Sequence, residues 1–223
     1  MTWLVVERPS VKLYKPFYKH TKRMLEILLC LAILPILVPV VAIISVIIRL
    51  TSSGPIFFTQ TRIGKDGRPF QMIKFRTMYQ DVDRVSHQAF MKAFVNGKAK
   101  VISESDVFKP FKKDQVTSIG RILRKTSLDE LPQLINVFKG EMSLVGPRPN
   151  VVWEFEEYKG WHKERLEVLP GITGLAQVRG RSGILFDEIV EYDIQYIENQ
   201  SLMLDLRILW WTLTSVLMGK GAH

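Results

Sequence analysis

The chain is poor in the residues that staple small folds together. Its 223 residues contain one cysteine, Cys30, and four histidines. One thiol excludes a disulfide scaffold, and its place inside an apolar run excludes a zinc finger. His20, His87, His162 and His223 are scattered without metal-ligand spacing, so none is a candidate ligand. No internal repeat is visible. Acids are in the minority: 31 Lys and Arg against 22 Asp and Glu give a net charge of +9. That balance suits anionic partners, namely nucleic acid, anionic lipid or phosphorylated substrates. With 47% hydrophobic and 24% charged residues the chain is not disordered. Its length allows one domain with a small appendage and a single site.

Residues 27–48 carry no charge, a run of 22. At about 1.5 Å per residue a straight helix of that length just crosses a bilayer core. Twenty-six residues precede it and no small-x-small site follows before Arg49, which argues against a cleavable signal. Both flanks are basic: Arg8, Lys12, Lys15, Lys19, Lys22 and Arg23 before the run, Arg49, Arg62, Lys65 and Arg68 after it. The positive-inside rule therefore finds no difference to orient a spanning helix, and both ends favour the cytoplasm. Pro35 and Pro39 stand near the middle. Each lacks the N–H that bonds one turn back, so the carbonyls of Leu31 and Pro35 lose their partners and a kink is predicted. A spanning helix with a proline bend and a re-entrant hairpin both fit this pattern.

Beyond Arg49 the pattern is that of a globular domain. Residues 56–62 and 70–78 read as short strands joined by Gly64-Lys65-Asp66-Gly67, whose Asp-Gly pair signals a hairpin. Lys74 and Arg76, two apart, are expected on one face of the second strand. Residues 81–113 read as a polar, mobile loop with one short helix around 88–95. Helical spacing returns from Ser118 through Leu123, Leu128, Leu131, Leu134, Ile135 and Phe138, and ends at Lys139-Gly140. The loops Gly146-Pro147-Arg148-Pro149 and Pro170-Gly171-Ile172-Thr173-Gly174 follow, then a polar-aromatic helix over 187–197. The apolar helix 202–218 carries Trp210-Trp211 and suits either a membrane interface or a core.

The segment Thr126-Ser127-Leu128-Asp129-Glu130-Leu131-Pro132 concentrates candidate chemistry. Ser127 and Glu130 have the spacing of a capping box, and on this segment alone a plain helix start is the better account. Three features point further. Arg121, Arg124 and Lys125 immediately precede the acids, so phosphate and a divalent cation both find partners here. Adjacent acids on a helix point about 100° apart, which suits two separate jobs, nucleophile and metal ligand. A helix start also favours the ionised carboxylate that a nucleophile requires.

Five blocks in order carry a family resemblance. They are Gly54-Pro55-Ile56-Phe57-Phe58-Thr59-Gln60-Thr61-Arg62-Ile63-Gly64, Lys74-Phe75-Arg76-Thr77-Met78, Ser127-Leu128-Asp129-Glu130-Leu131-Pro132-Gln133-Leu134, Gly140 through Pro149, and Pro170 through Val178. From about Lys19 to its end the chain resembles the bacterial sugar transferases, monotopic polyprenyl-phosphate phosphoglycosyl transferases. The resemblance implies transfer of a sugar 1-phosphate from a UDP-sugar to a polyprenyl phosphate with Mg²⁺, releasing UMP. It implies Asp129 as nucleophile, Glu130 as its acidic neighbour, and both as metal ligands. It implies Arg124 and Arg148 as phosphate-site cations, with Lys74, Arg76 and Arg181 as further phosphate or nucleotide contacts.

The implied fold class is α+β and helix-rich. Residues 1–50 form a basic segment and a re-entrant membrane helix kinked at Pro35 and Pro39. Residues 51–223 form a cytoplasmic catalytic domain with a small β-hairpin and interfacial amphipathic helices, the last at 202–218. The implied location is the cytoplasmic face of the bacterial inner membrane, with inner-membrane lipid as a partner, no nucleic acid, and a homodimer left open. The pattern is that of the small members, which lack additional N-terminal spans. Some positions depart from the family's usual residues: Val38 precedes Pro39 where serine is common, Leu169 stands where arginine often precedes Pro170, and Arg179 replaces an asparagine. Two other readings fit parts of the pattern. A membrane-anchored nucleotide-sugar pyrophosphatase would use the same acids with water as acceptor, and a basic membrane adaptor would need no chemistry at all.

Overall fold

A computed structural model describes residues 16–79, 84–97, 115–180 and 184–218. The architecture is helix-rich, as expected, and carries two small sheets where the sequence indicated only the hairpin. Helix α1, Pro16–Thr51, is apolar through its middle and runs unbroken past Pro35 and Pro39. A β-hairpin follows, β1 Phe57–Ile63 and β2 Pro69–Phe75, antiparallel with Phe57 opposite Phe75 and Ile63 opposite Pro69. Its connection places Asp66 (φ 56°) and Gly67 (φ 75°) in the left-handed region, the reason an Asp-Gly pair stands there. The chain continues through α2 Arg84–Val95, α3 Ser118–Lys125, α4 Gln133–Lys139 and α5 Val152–Phe155. It ends in α6 Leu175–Arg179, α7 Phe186–Glu198 and α8 Leu202–Leu217. Most of the loop expected over 81–113 lies outside the described residues.

The loop motifs turn out to be a second sheet. Ser143–Val145 (β3) and Gly171–Thr173 (β4) pair in parallel, Ser143 opposite Gly171 and Val145 opposite Thr173. The two backbones touch so closely that a Cβ on Gly171 would overlap the main chain of Gly146, and one on Gly146 would overlap the main chain at Leu169. Glycine is therefore dictated at both places by contact rather than by torsion.

Both ends of α1 dock on the same body. Toward its N-terminus, Cys30 shares a core with Phe70, Met72, Val137 and Met142 of β2, α4 and the turn after it. Toward its C-terminus, Ile44 and Ile48 share a core with Phe75 and Leu123. Between them, residues 31–36 are exposed. Polar locks accompany the N-terminal contact. Lys22 Nζ donates to the Val145 carbonyl (2.9 Å), Tyr196 Oη (3.0 Å) and Asp205 Oδ2 (2.9 Å). Glu26 accepts from the Leu144 N–H (2.9 Å), and Arg23 donates to the Val137 and Phe138 carbonyls that end α4. At the other end Arg76 donates to Ser52 Oγ (2.7 Å) and its carbonyl (2.9 Å).

Removing one member of a largely buried ion pair leaves the other desolvated without compensation, a loss of about 3 kcal/mol. Asp205→Ala should therefore lower the melting temperature in detergent by roughly 5–10 °C. A melting temperature equal to the wild type's would show that Lys22 does not depend on Asp205.

Candidate active site

Thr117 starts α3, its hydroxyl accepting from the Gly120 N–H (2.9 Å). After Lys125 the chain reverses through Ser127, whose φ of 56° and ψ of 16° are left-handed. Leu128–Glu130 then form one 3-10 turn, and α4 begins only at Gln133, after Pro132. The capping box expected from Ser127 and Glu130 is therefore absent: the Ser127 side chain makes no cap, because its backbone already points the wrong way. The expected continuous helical stretch splits here for the same reason. Leu128 and Leu131 pack onto the core of Ile44, Ile48, Phe75 and Leu123, so hydrophobic anchors flank both acids.

The hairpin delivers the first cation. Lys74, near the end of β2, places Nζ 2.6 Å from Glu130 Oε1, and Arg148 reaches the same oxygen at 3.6 Å from the rim. Burial alone would push the Glu130 carboxyl up, but Lys74 and Arg148 outweigh it and hold it below the usual range. Burial lowers Lys74, with Glu130 opposing. For Asp129 the balance falls the other way. Burial raises its pKa, and Lys74, Arg124 and Arg148 only partly offset burial and the neighbouring Glu130 charge. Among the described residues the Asp129 carboxylate forms no hydrogen bond or ion pair. Arg124 is half-buried and donates from Nε to Thr77 Oγ1 (3.1 Å), with burial lowering it and Asp129 opposing.

Of the residues singled out from sequence, Asp129, Glu130, Lys74, Arg124 and Arg148 thus form one electrostatic cluster. Among the described residues Arg76 forms no hydrogen bond or ion pair with that cluster. Strand β2 ends at Phe75, the alternation ends with it, and the Arg76 guanidinium fastens the end of α1 at Ser52. Arg181 lies outside the described residues. Arg179 stacks over the Trp211 ring at 4.6 Å.

A shallow groove beside the acids is lined by Arg62, Met72, Lys74, Glu130, Gln133, Arg148 and the Gly171-Ile172 backbone segment. Arg62 and Gln133 belong to the matched blocks, but neither has a place in the site as read from sequence, where Arg62 counts only as a basic flank of the apolar run. Only their burial beside Glu130 sets them apart. Behind the groove, Arg165 holds the Arg148 loop, donating to the Arg148 carbonyl (3.0 Å) and pairing with Asp193 (2.6 Å).

No group of three or more His, Cys, Asp or Glu side chains suited to a metal occurs among the described residues. Two adjacent carboxylates do fit Mg²⁺, which is commonly held by one or two carboxylates together with substrate phosphates.

Lys74→Met removes the cation that most favours both charged carboxylates. In the metal-free protein the carboxyl titrations of Asp129 and Glu130, followed by carbon-13 NMR, should move to higher pH. Unmoved midpoints would show that Lys74 does not set them.

The sequence model described as bacterial sugar transferase matches residues 17–219. The galactosyl transferase CpsE of Streptococcus agalactiae is 42% identical over 215 residues, covering 96% of this chain and 46% of that protein. The exopolysaccharide production protein ExoY of Sinorhizobium fredii is 36% identical over 210 residues, covering 94% of this chain and 91% of its own length. The UDP-glucose:undecaprenyl-phosphate glucose-1-phosphate transferase of Escherichia coli is 37% identical over 227 residues, 96% of this chain and 45% of that one. The chain therefore spans about half the length of two of these relatives and most of the third.

Proposed function

The chain belongs to the bacterial sugar transferase family, and on that premise we propose that it transfers a sugar 1-phosphate from a UDP-sugar to a polyprenyl phosphate. The products are a polyprenyl diphosphate sugar and UMP. One observation carries the reading: Asp129 sits half-buried and without a direct partner among Lys74, Arg124 and Arg148, on a turn seated against the apolar helix α1. A carboxylate left free in a cationic, partly desolvated site is equipped to attack phosphorus.

In the first step an Asp129 oxygen bonds the β-phosphorus and the bond to UMP breaks, leaving a sugar-phosphoryl aspartate. In the second, an oxygen of the polyprenyl phosphate bonds the same phosphorus and Asp129 is released. Arg124, Arg148 and Lys74 offset the charge on the phosphates, arginine through its planar fork. Asp129 and Glu130 would hold Mg²⁺, which supplies charge neutralisation on the diphosphate. The relatives named as sugar-phosphate transferases to undecaprenyl phosphate support this substrate class.

The re-entrant reading of α1 has geometric support. Pro35 is nine residues from Glu26 and from Ile44, and Pro39 is nine from Cys30 and from Ile48. Nine residues are two and a half turns, so each proline faces away from the buried anchors in both halves. A proline ring pushes its helix open on its own side, so the bend closes toward the domain and brings both basic flanks to one membrane face. Residues 1–50 would then be the membrane element and 51–223 the cytoplasmic catalytic domain. In α8, Met203, Leu206, Trp210, Leu213 and Leu217 form an exposed apolar stripe at helical spacing, suited to lie in the interface of the inner membrane.

With Mg²⁺ and polyprenyl phosphate, the detergent-purified protein should release UMP from one or more UDP-sugars, and Asp129→Asn should lose both the release and the covalent species seen by mass spectrometry. Release at full turnover without acceptor would favour hydrolysis instead. In the metal-free protein, where burial raises its pKa, the Asp129 carboxyl should titrate above the ordinary aspartate range when followed by carbon-13 NMR, and a midpoint at the usual aspartate value would contradict its desolvated character. In a Cys30→Ser background, single cysteines at Lys19 and Ser52 should both be labelled from the cytoplasmic side of sealed vesicles. Labelling from opposite sides would establish a spanning helix.

A further inference from the structure

Buried polar atoms without a partner are rare, and each calls for a reason. Among the described residues three side-chain N–H groups are in this state, and two of them, Arg62 Nε and Gln133 Nε2, belong to residues that line the same groove. Gln133 is 2% exposed. Its amide leans toward Glu130 without completing a hydrogen bond. Arg62 is fixed by its other nitrogens, which donate to the Pro149 carbonyl (3.1 Å) and to Gln60 Oε1 (2.7 Å), so Nε has no freedom to seek an acceptor elsewhere. Burial lowers the Arg62 pKa to about 10, which leaves it charged at neutral pH.

Both orphan atoms are N–H donors. They cannot ligate a cation, and a sugar hydroxyl would bring donors of its own, whereas a phosphate presents acceptors only. The groove's charged lining is Lys74, Arg62 and Arg148 against Glu130, which suits a dianion. Its placement relative to the nucleophile is also informative. The groove is lined by Glu130, Arg148 and the two residues that carry the orphan donors, but not by Asp129, so the donors lie on the Glu130 side of the acid turn.

We propose that Arg62 and Gln133 form a phosphate-monoester subsite, occupied first by the phosphate of the departing UMP and then by the phosphate of the incoming polyprenyl acceptor. The inference rests on the transfer reaction proposed above. Phosphoryl displacement is roughly in line. Asp129 attacks opposite the leaving UMP oxygen, so the acceptor oxygen that later displaces Asp129 must arrive from the position UMP vacated. One subsite then serves both phosphates without a second set of cations. No bond is made or broken to Arg62 or Gln133, which donate hydrogen bonds in both steps.

The test is binding and kinetics of the full chain in detergent, wild type against Gln133→Leu and Arg62→Lys. The leucine variant keeps the volume and loses the donor, and the lysine variant keeps the charge and loses Nε. A hydrogen bond to a charged group is worth at least about tenfold in affinity. Each variant should weaken UMP binding by about that factor, leave uridine binding unchanged, weaken inorganic phosphate, and raise KM for polyprenyl phosphate by a similar factor. UMP binding as tight as wild type in both variants overturns the subsite. A weaker UMP with an unaltered acceptor KM overturns its shared use. A wild-type chain that binds neither UMP nor any UDP-sugar overturns the transfer reaction itself, a result the variants cannot mimic.

Discussion

The ion pair between Lys74 and Glu130 is the contact on which the rest of the site depends. It joins the hairpin to the acid turn at 2.6 Å, with both side chains mostly buried. Either ion alone in that position would pay a desolvation penalty of several kcal/mol. Together they settle Glu130 as a carboxylate, and this has a consequence next door. Asp129 shares the desolvated environment but not the pairing, so its pKa rises where that of Glu130 falls. Two adjacent acids on one short turn thereby acquire different characters: one is a fixed charge, and the other is more basic than an ordinary aspartate. Such a division is how a protein assigns separate roles to chemically similar groups.

The apolar helix contributes more than an anchor. Its C-terminal half, through Ile44 and Ile48, supplies part of the core on which Leu128 and Leu131 seat the acid turn, and its N-terminal half is locked to β3 by Lys22 and Glu26. Strand β2 lies between, sharing one core with each half through Met72 and Phe75 and carrying Lys74 between those two residues. The long apolar helix and the strand that charges the site are thus parts of one packed unit. A shift of α1 against the domain would be felt at Lys74 and at the acid turn, because interiors packed to crystal density transmit displacement rather than absorb it.

Much of this was legible in the sequence where local rules govern. The hairpin followed from Asp66-Gly67, and the last two helices from their periodicity, since turn torsions and helical spacing are local properties. The acid turn was read as a helix start because Ser127 and Glu130 satisfy the spacing of a capping box. The left-handed torsion of Ser127 and the delay of α4 to Gln133 override that pattern. Lys74 and Arg76 were expected on one face, but alternation holds only while the strand continues, and β2 stops between them. The Gly146 and Pro170 motifs looked like independent loops. Their parallel pairing joins segments 28 residues apart, Ser143 to Gly171 and Val145 to Thr173, and no local rule reaches that far. Arg62 and Gln133 had no signal beyond their motifs, because an unmet donor is a property of the packed interior.

That parallel contact also explains how an exposed arginine can serve a defined site. The Arg148 side chain is about half exposed, at 51%, and among the described residues reaches only Glu130, at 3.6 Å, yet the backbone of its loop is fastened on several sides. Gly146 donates to the Thr173 carbonyl (2.9 Å), Gly171 donates to the Pro147 carbonyl (2.9 Å), and Arg165 binds the Arg148 carbonyl from below. Arg165 is itself 2% exposed and paired with Asp193. Charge stabilisation is strong when the donor need not reorganise as the reaction proceeds. A flexible loop with the same arginine would lose part of its attraction for phosphate to ordering of the chain. Here the glycines and the buried Arg165–Asp193 pair do that ordering during folding, before any substrate arrives.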